Sequence, residues 1–218
     1  GATPIQNIGA YGVEVKDVIY KVECIDVASG EKRIFTNPEC QFAYRNSVFK
    51  HELKGKYIVT AVWYKLSRQP KINVNYGSLA DEIKQYAELN LQSVRSAVIS
   101  IRQRKLPEPK VLGNAGSFFK NPIVEREVAE RLLAEYPDMP LYPAAEEGKA
   151  KLAAGWLIDR AGWKGKSEGR VGVHARQALV LINLGGATGA EVMELAYRIV
   201  EDVKSRFGVE LSPEVNVL

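Results

Sequence analysis

Cysteine is scarce in this 218-residue chain, with two residues, Cys24 and Cys40, and histidine is equally rare, with His51 and His174. Two cysteines separated by 15 residues, beside two histidines, make neither a disulfide framework nor a zinc-binding pattern. They read as small hydrophobes in a reducing compartment. No apolar run approaches the roughly 20 residues of a bilayer-spanning helix, which excludes a membrane-spanning protein of that kind. Signal-peptide and transit-peptide patterns are missing as well, so a cytoplasmic location is expected. Single-sign charge blocks are absent too. The 30 basic and 26 acidic residues are interspersed and leave +4, a balance that does not point to nucleic acid and suits an anionic small molecule. Gly (18) and Pro (10) are too few for a low-complexity or collagenous chain.

What is present is ordinary globular text, 46% hydrophobic and 26% charged. The length suits one large domain or two small ones, able to bury about 70% of the unfolded chain's surface. The first dozen residues, with three Gly and one Pro, predict irregular backbone. Residues 18–27 and 32–36 read as strands joined by the turn Ala28-Ser29-Gly30-Glu31. Residues 57–66 form the strongest strand signal, stopped by Arg68-Gln69-Pro70. Val94, Ala97, Val98 and Ile101 share one helical face, and Leu106-Pro107 ends that run. Further helices are predicted over 124–135 and 152–161, with a short buried strand over Ala178-Leu179-Val180-Leu181-Ile182. The last helix is the best specified. Thr188 and Glu191 form a capping box; Val192, Leu195, Ala196, Ile199, Val203 and Phe207 make its apolar stripe; Gly208 closes it. The two prolines in Leu106-Pro107-Glu108-Pro109-Lys110 mark a domain boundary between a mainly β part and a mixed part. The tail 211–218 carries a strand-like end of its own.

The least ordinary segment is Gly113-Asn114-Ala115-Gly116-Ser117-Phe118-Phe119-Lys120-Asn121-Pro122. Its pattern is compatible with a turn followed by a buried Phe pair. It is equally compatible with a loop presenting the Ser117 hydroxyl in a low-dielectric pocket as a proton donor. No partner at useful spacing decides between the two. His51 and His174 titrate near neutrality but lack a triad or metal partner at useful spacing, so neither is assigned acid–base work and no metal site is expected.

Gly116-Ser117-Phe118-Phe119-Lys120-Asn121-Pro122 resembles the signature of the UDP-N-acetylenolpyruvoylglucosamine reductases. Further matches follow in order: Pro4-Ile5-Gln6-Asn7-Ile8-Gly9-Ala10-Tyr11-Gly12-Val13-Glu14 resembles the family's flavin-contacting segment, and Tyr44-Arg45-Asn46-Ser47-Val48-Phe49-Lys50 its arginine motif. Ala154-Gly155-Trp156-Leu157-Ile158-Asp159 and His174-Ala175-Arg176-Gln177-Ala178-Leu179-Val180 resemble two blocks of the substrate domain, and Pro213-Glu214-Val215 the closing glutamate motif. Tyr11 and the Trp156-Leu157-Ile158 cluster read as core and pocket wall.

The resemblance implies an α+β fold, in which residues 1–105 form the second half of a two-part FAD-binding domain. Residues 106–207 would form the substrate-binding domain, and 208–218 a tail returning to the active site. It implies FAD and NADPH as cofactors, UDP-N-acetylglucosamine enolpyruvate as substrate, and a monomer without nucleic-acid or membrane partners. The implied reaction is flavin-delivered reduction of the enolpyruvyl double bond, yielding UDP-N-acetylmuramate for peptidoglycan. Ser117 matches the proton donor, and Arg45 and Glu214 the two residues that assist it. An arginine suits a developing dianionic enolate, whereas a carboxylate beside it fits an orienting role. Without their motif neighbours, Arg45 would read as a surface ion-pair residue and Glu214 as a solvated tail residue.

Pro4, Ile5, Gln6, Asn7, Gly9, Ala10 and Gly12 match flavin-contacting positions. Tyr76 matches the tyrosine of a mobile loop found in one subtype, and Lys105, Asn121, Lys164 and Gln177 match substrate-pocket positions. Taken alone, Tyr76 reads as a turn aromatic and the two lysines as exposed cations, although Lys also suits a diphosphate. The family's Gly-rich pyrophosphate loop has no counterpart here; with Gly1 rather than Met at the start, the chain is expected to begin downstream of that loop and to be inactive alone. The alternative is a module that binds UDP-sugars without redox work, and a weaker one is a different flavin oxidase sharing only the flavin half.

Overall fold

The computed structural model describes residues 1–217 and divides into two units, Gly1–Ile101 and Arg102–Leu218. Mixed helices and antiparallel sheets make the fold α+β.

The first unit opens on a short helix, α1 (Ala2–Gln6), and a minimal hairpin of β1 (Gly9–Ala10) and β2 (Val13–Glu14). Its sheet consists of β3 (Ile19–Asp26), β4 (Lys32–Thr36) and β5 (Tyr57–Tyr64) in the order β4-β3-β5. The β3–β4 turn is held by Asp26, whose Oδ1 accepts the N–H groups of Ala28 and Ser29, and by Gly30 at φ 73°. Val22 and Cys24, two apart on β3, bury the same face with Ile19, Phe35, Cys40, Val48 and Phe49. The ring of Phe35 meets Phe49 and Tyr57 edge-on, at 5.2 and 5.1 Å. Burial pushes the Cys24 thiol up to about 11 and the Cys40 thiol to about 12, so both stay protonated as packing groups. β5 stops at Tyr64, short of the sequence expectation, because its partner β3 starts opposite it at Ile19. Two helices, α2 (Gly77–Glu82) and α3 (Leu91–Lys105), complete the unit around Leu79, Ala97 and Ile101. The division between the units falls in the C-terminal part of α3, upstream of the double-proline segment.

The second unit holds β6 (Gly113–Ser117), β7 (Ile123–Glu125), α4 (Arg126–Glu135), β8 (Leu141–Pro143) and β9 (Lys149–Leu152). These are followed by α5 (Ala154–Arg160), β10 (Ser167–Glu168), β11 (Val171–Val173), β12 (Val180–Asn183) and α6 (Gly189–Phe207). Two antiparallel sheets form, β10-β11-β12-β6 and β7-β9-β8. A single core joins them to the helices through Phe118, Phe119, Leu152, Leu157, Ile158, Leu195, Ile199, Val203 and Phe207. The expected capping box is in place: Thr188 Oγ1 accepts from the Glu191 N–H, and the Glu191 carboxylate accepts from the Thr188 N–H. Gly208 adopts the left-handed closing conformation at φ 68°.

Boundaries shift where pairing competes with helix formation. Val124 lies on β7 opposite Ala150, so the helix expected from 124 begins at Arg126. Leu152 lies on β9, so the next helix begins at Ala154. The strand expected from Ala178 starts at Val180, because Gln177 O accepts the Val180 N–H in a turn. No helix of the described residues is long and apolar enough to cross a membrane.

Candidate functional site

In the first unit, two sequence-distant segments are clasped together by polar contacts. Asn7 is fully buried; its Nδ2 donates to Ala43 O (2.8 Å) and Glu14 Oε2 (3.2 Å), and its Oδ1 accepts from the Lys16 N–H (3.1 Å). Ser47 Oγ donates to Ile5 O at 2.7 Å. Arg45 Nη2 donates to Gly9 O at 2.7 Å. Lys50 Nζ donates to Gln6 Oε1 (2.7 Å) and to Arg45 O (3.1 Å). The flavin-like segment and the arginine motif of the sequence therefore form one structure.

The backbone of this clasp is unusual. Among the described residues, the non-glycine residues with left-handed φ are Asn7 (44°), Tyr11 (53°), Gln41 (47°) and Arg45 (52°), all in these two segments. Such conformations cost about 1–3 kcal/mol each and concentrate at ligand sites. Tyr11 and Gly12 (φ 80°) form the two-residue turn of the β1–β2 hairpin, where both positions need positive φ. Gly9 has no room for a side chain: a Cβ there would lie 2.8 Å from Val13 O and 3.0 Å from Glu14 Cγ. Gln6 Nε2 is buried without a hydrogen-bond partner, an arrangement that costs about 1–3 kcal/mol unless a ligand supplies an acceptor. A planar group with acceptors on its edge, such as the isoalloxazine of FAD, fits an unmet donor beside a side-chain-free glycine. Tyr76, exposed, meets Tyr11 edge-on at 6.1 Å, and a Cβ on Gly12 would lie 3.5 Å from its Cβ.

In the second unit the backbone of Phe118 is the organising group. Its N–H donates to Leu179 O and its carbonyl accepts from the Glu214 N–H, both at 2.7 Å. The flanking residues extend this double pairing: Ser117 lies opposite Val180, Phe119 bridges Pro213, and the Lys120 N–H donates to Ser212 O at 2.9 Å. Phe118 and Phe119 are buried, which anchors the segment and leaves Ser117 exposed at the end of β6. Both readings of this segment meet here, since the buried Phe pair is what holds the serine at the edge of the core. Ser117, Gln177 and Glu214 are thus carried by adjoining backbone although they lie far apart in sequence. Gln177 Oε1 accepts from the Leu179 N–H (3.3 Å), and a Cβ on Gly155 would approach that oxygen to 3.6 Å. Asn121 Oδ1 accepts the first N–H of α5, that of Ala154, at 3.0 Å.

The remaining positions are scattered. Lys164 is ion-paired with Asp159 at 2.7 Å, and Lys105 is exposed at the end of α3. Arg45 belongs to the first unit, and Ser117 and Glu214 to the second. His174 is buried, and its pKa lies below the ordinary 6.5, first through burial and then through nearby Arg176; its Nδ1 faces the Arg176 N–H at 3.4 Å. His51 is exposed against Asn46 Oδ1. Among the described residues no group of three or more His, Cys, Asp or Glu is placed to hold a metal ion. The structural parts played by Lys50, Gly155 and the Phe118 backbone were not read from the sequence. All three lie in or beside quoted motifs, but hydrogen bonds made by main chain leave no mark on residue type.

Residues 108–218 match the family model described as "UDP-N-acetylenolpyruvoylglucosamine reductase, C-terminal domain". Proteins named UDP-N-acetylenolpyruvoylglucosamine reductase are 51% identical in Bdellovibrio bacteriovorus, over 98% of this chain and 63% of the relative, and 53% identical in Chromobacterium violaceum, over 100% and 64%. The chain thus spans less than two thirds of the length of these relatives. The crystal structure of UDP-N-acetylenolpyruvylglucosamine reductase from Thermus caldophilus shares the fold, with a TM-score of 0.61 and 24% identity over 100% of this chain and 59% of that one. With the family model matched over more than half of its residues and an ordered set of family motifs clasped as described, the chain belongs to the UDP-N-acetylenolpyruvoylglucosamine reductase family.

Proposed function

We propose that the chain serves the NADPH-consuming, FAD-dependent reduction of UDP-N-acetylglucosamine enolpyruvate to UDP-N-acetylmuramate, a cytoplasmic step of peptidoglycan synthesis. Residues 1–105 would act as flavin-binding structure, 106–207 as substrate-binding structure and 208–218 as the tail that contributes Glu214. The observation that carries this reading is the double pairing of Phe118, which puts the Ser117 and Glu214 segments side by side. When bound, FAD passes hydride equivalents from NADPH to the terminal vinyl carbon. The proton that completes the saturated bond goes to the carbon bearing the carboxylate, and the Ser117 hydroxyl is the group assigned to give it.

Charge decides the remaining roles. Hydride addition next to a carboxylate builds a dianionic enolate, which a guanidinium stabilises more than it stabilises the substrate; that is the role assigned to Arg45. A carboxylate would oppose the same charge, so Glu214 is assigned the orientation of Ser117 or of the substrate carboxylate. Lys105 and Lys164 are assigned to the nucleotide diphosphate, Lys164 by exchanging its Asp159 partner, whose ion pair is solvent-exposed and therefore weak. Asn121 and Gln177 complete the substrate pocket, and Tyr76 closes over the nucleotide. Pro4, Ile5, Gln6, Asn7, Gly9, Ala10 and Gly12 shape the flavin side; Asn7 does so through the fold, since its amide is already engaged on three sides.

The test is NADPH oxidation that depends on the enolpyruvyl substrate. Ser117→Ala is expected to cut substrate turnover by about 10²–10⁴-fold while flavin reduction by NADPH continues. Wild-type turnover in that variant would remove the proton-donor assignment.

A further inference from the structure

We propose that Lys50 is a positioning residue for the flavin site: it dictates which end of the Gln6 amide faces the ligand. The proposal rests on the flavin reading above. An ammonium group has three donors and no acceptor. With Lys50 Nζ 2.7 Å away, Gln6 must present Oε1 to the lysine, which sends Nε2, a donor, the other way. That nitrogen is buried and meets no acceptor. Buried donors left unpaired are rare in folded proteins, so the site is built for a ligand that brings an acceptor.

The lysine is itself held firmly. It ends a single 3₁₀ turn, Val48–Lys50, whose first two residues are buried in the core. It also donates to the carbonyl of Arg45, the residue at left-handed φ whose guanidinium bonds Gly9 O. One ammonium thus couples the orientation of a side chain at position 6 to the strained backbone at position 45. The ligand class that answers an N–H donor here is a planar heterocycle with a carbonyl oxygen or ring nitrogen on its edge, as in the pyrimidine half of an isoalloxazine.

Titration of the full chain with riboflavin and with FAD, followed by quenching of flavin fluorescence, tests this. Lys50→Met frees the Gln6 amide to turn, and is expected to weaken flavin binding about ten-fold. Lys50→Arg, also donor-only, is expected to stay within about three-fold of wild type. Gln6→Glu keeps the contact to Lys50 but has no donor to offer; it is expected to lose about ten-fold while its thermal unfolding midpoint is maintained. Wild-type affinity in Lys50→Met or in Gln6→Glu overturns the assignment, and so does a loss in Lys50→Arg equal to that in Lys50→Met. If the unsubstituted chain quenches no flavin, the flavin reading itself fails and this inference with it. Tight wild-type binding with unaffected variants removes Lys50 alone.

Discussion

The two units hold their candidate site residues by different means. In the first, the segments 4–12 and 41–50 are joined by side-chain hydrogen bonds through Asn7, Arg45, Ser47 and Lys50, on backbone that includes four left-handed non-glycine residues. In the second, Ser117 and Glu214 are placed by main-chain pairing around Phe118, and two buried phenylalanines secure the segment. Specific polar chemistry at few positions thus holds one site, and a hydrophobic core with generic backbone bonds holds the other. Substitutions should expose that difference. The first unit is vulnerable at individual polar side chains, whereas the second is vulnerable to loss of buried volume.

Phe119→Ala presses the second unit where it is strongest. The ring is almost fully buried, meets Phe118 edge-on at 5.1 Å, and sits in the bridge to Pro213. A loss of about 3–5 kcal/mol is expected, read by denaturant unfolding, with faster amide exchange at Glu214 as the tail loosens. A loss below 1 kcal/mol would mean that main-chain pairing, not the aromatic anchor, holds the segment. Asn7→Ala addresses the first unit. It strands buried partners of the amide and leaves alanine at left-handed φ, so about 2–3 kcal/mol is expected, together with increased amide exchange at Ala43 and Lys16. A neutral result would remove the contrast between the units.

The smallest expected effect is a pH dependence. His174 is held below its ordinary 6.5 by burial and by Arg176. Below 6.5 the unfolded chain takes up a proton that the folded chain resists. The stability due to the neutral imidazole is therefore full above pH 6.5 and is lost as pH falls through the lower folded value. His174→Gln should flatten the stability profile of the second unit in that acid range, measured by denaturant midpoints at a series of pH values. An unchanged slope would show that other groups carry it.

Much of this was legible before any coordinates. The hairpin over 18–36 announced itself by alternation and by the Ala28-Ser29-Gly30 turn, and α6 by its capping box, apolar stripe and terminal glycine, because these signals are local. The short strands were not legible. Val124 and Leu152 fit a helical face as well as a strand, and only pairing with β9 or with β8 chose between them. At the candidate site, the residue types of both clasped segments stood out by resemblance, but the contacts joining them did not. Nothing in the residue type of Lys50 says that its ammonium will meet Gln6, 44 positions away.

Sequence alone decided the class of chain, its regular elements with their caps, the family and the roster of chemically capable side chains, since each depends on composition, near neighbours or motif. Tertiary structure decided which of those side chains meet within each unit, which end of the Gln6 amide faces a ligand, and that the Phe118 main chain holds the Glu214 segment next to Ser117. Those outcomes depend on hydrogen bonds between residues remote in the chain. Peptide groups make many of them, and these are the same at every position until folding assigns them partners.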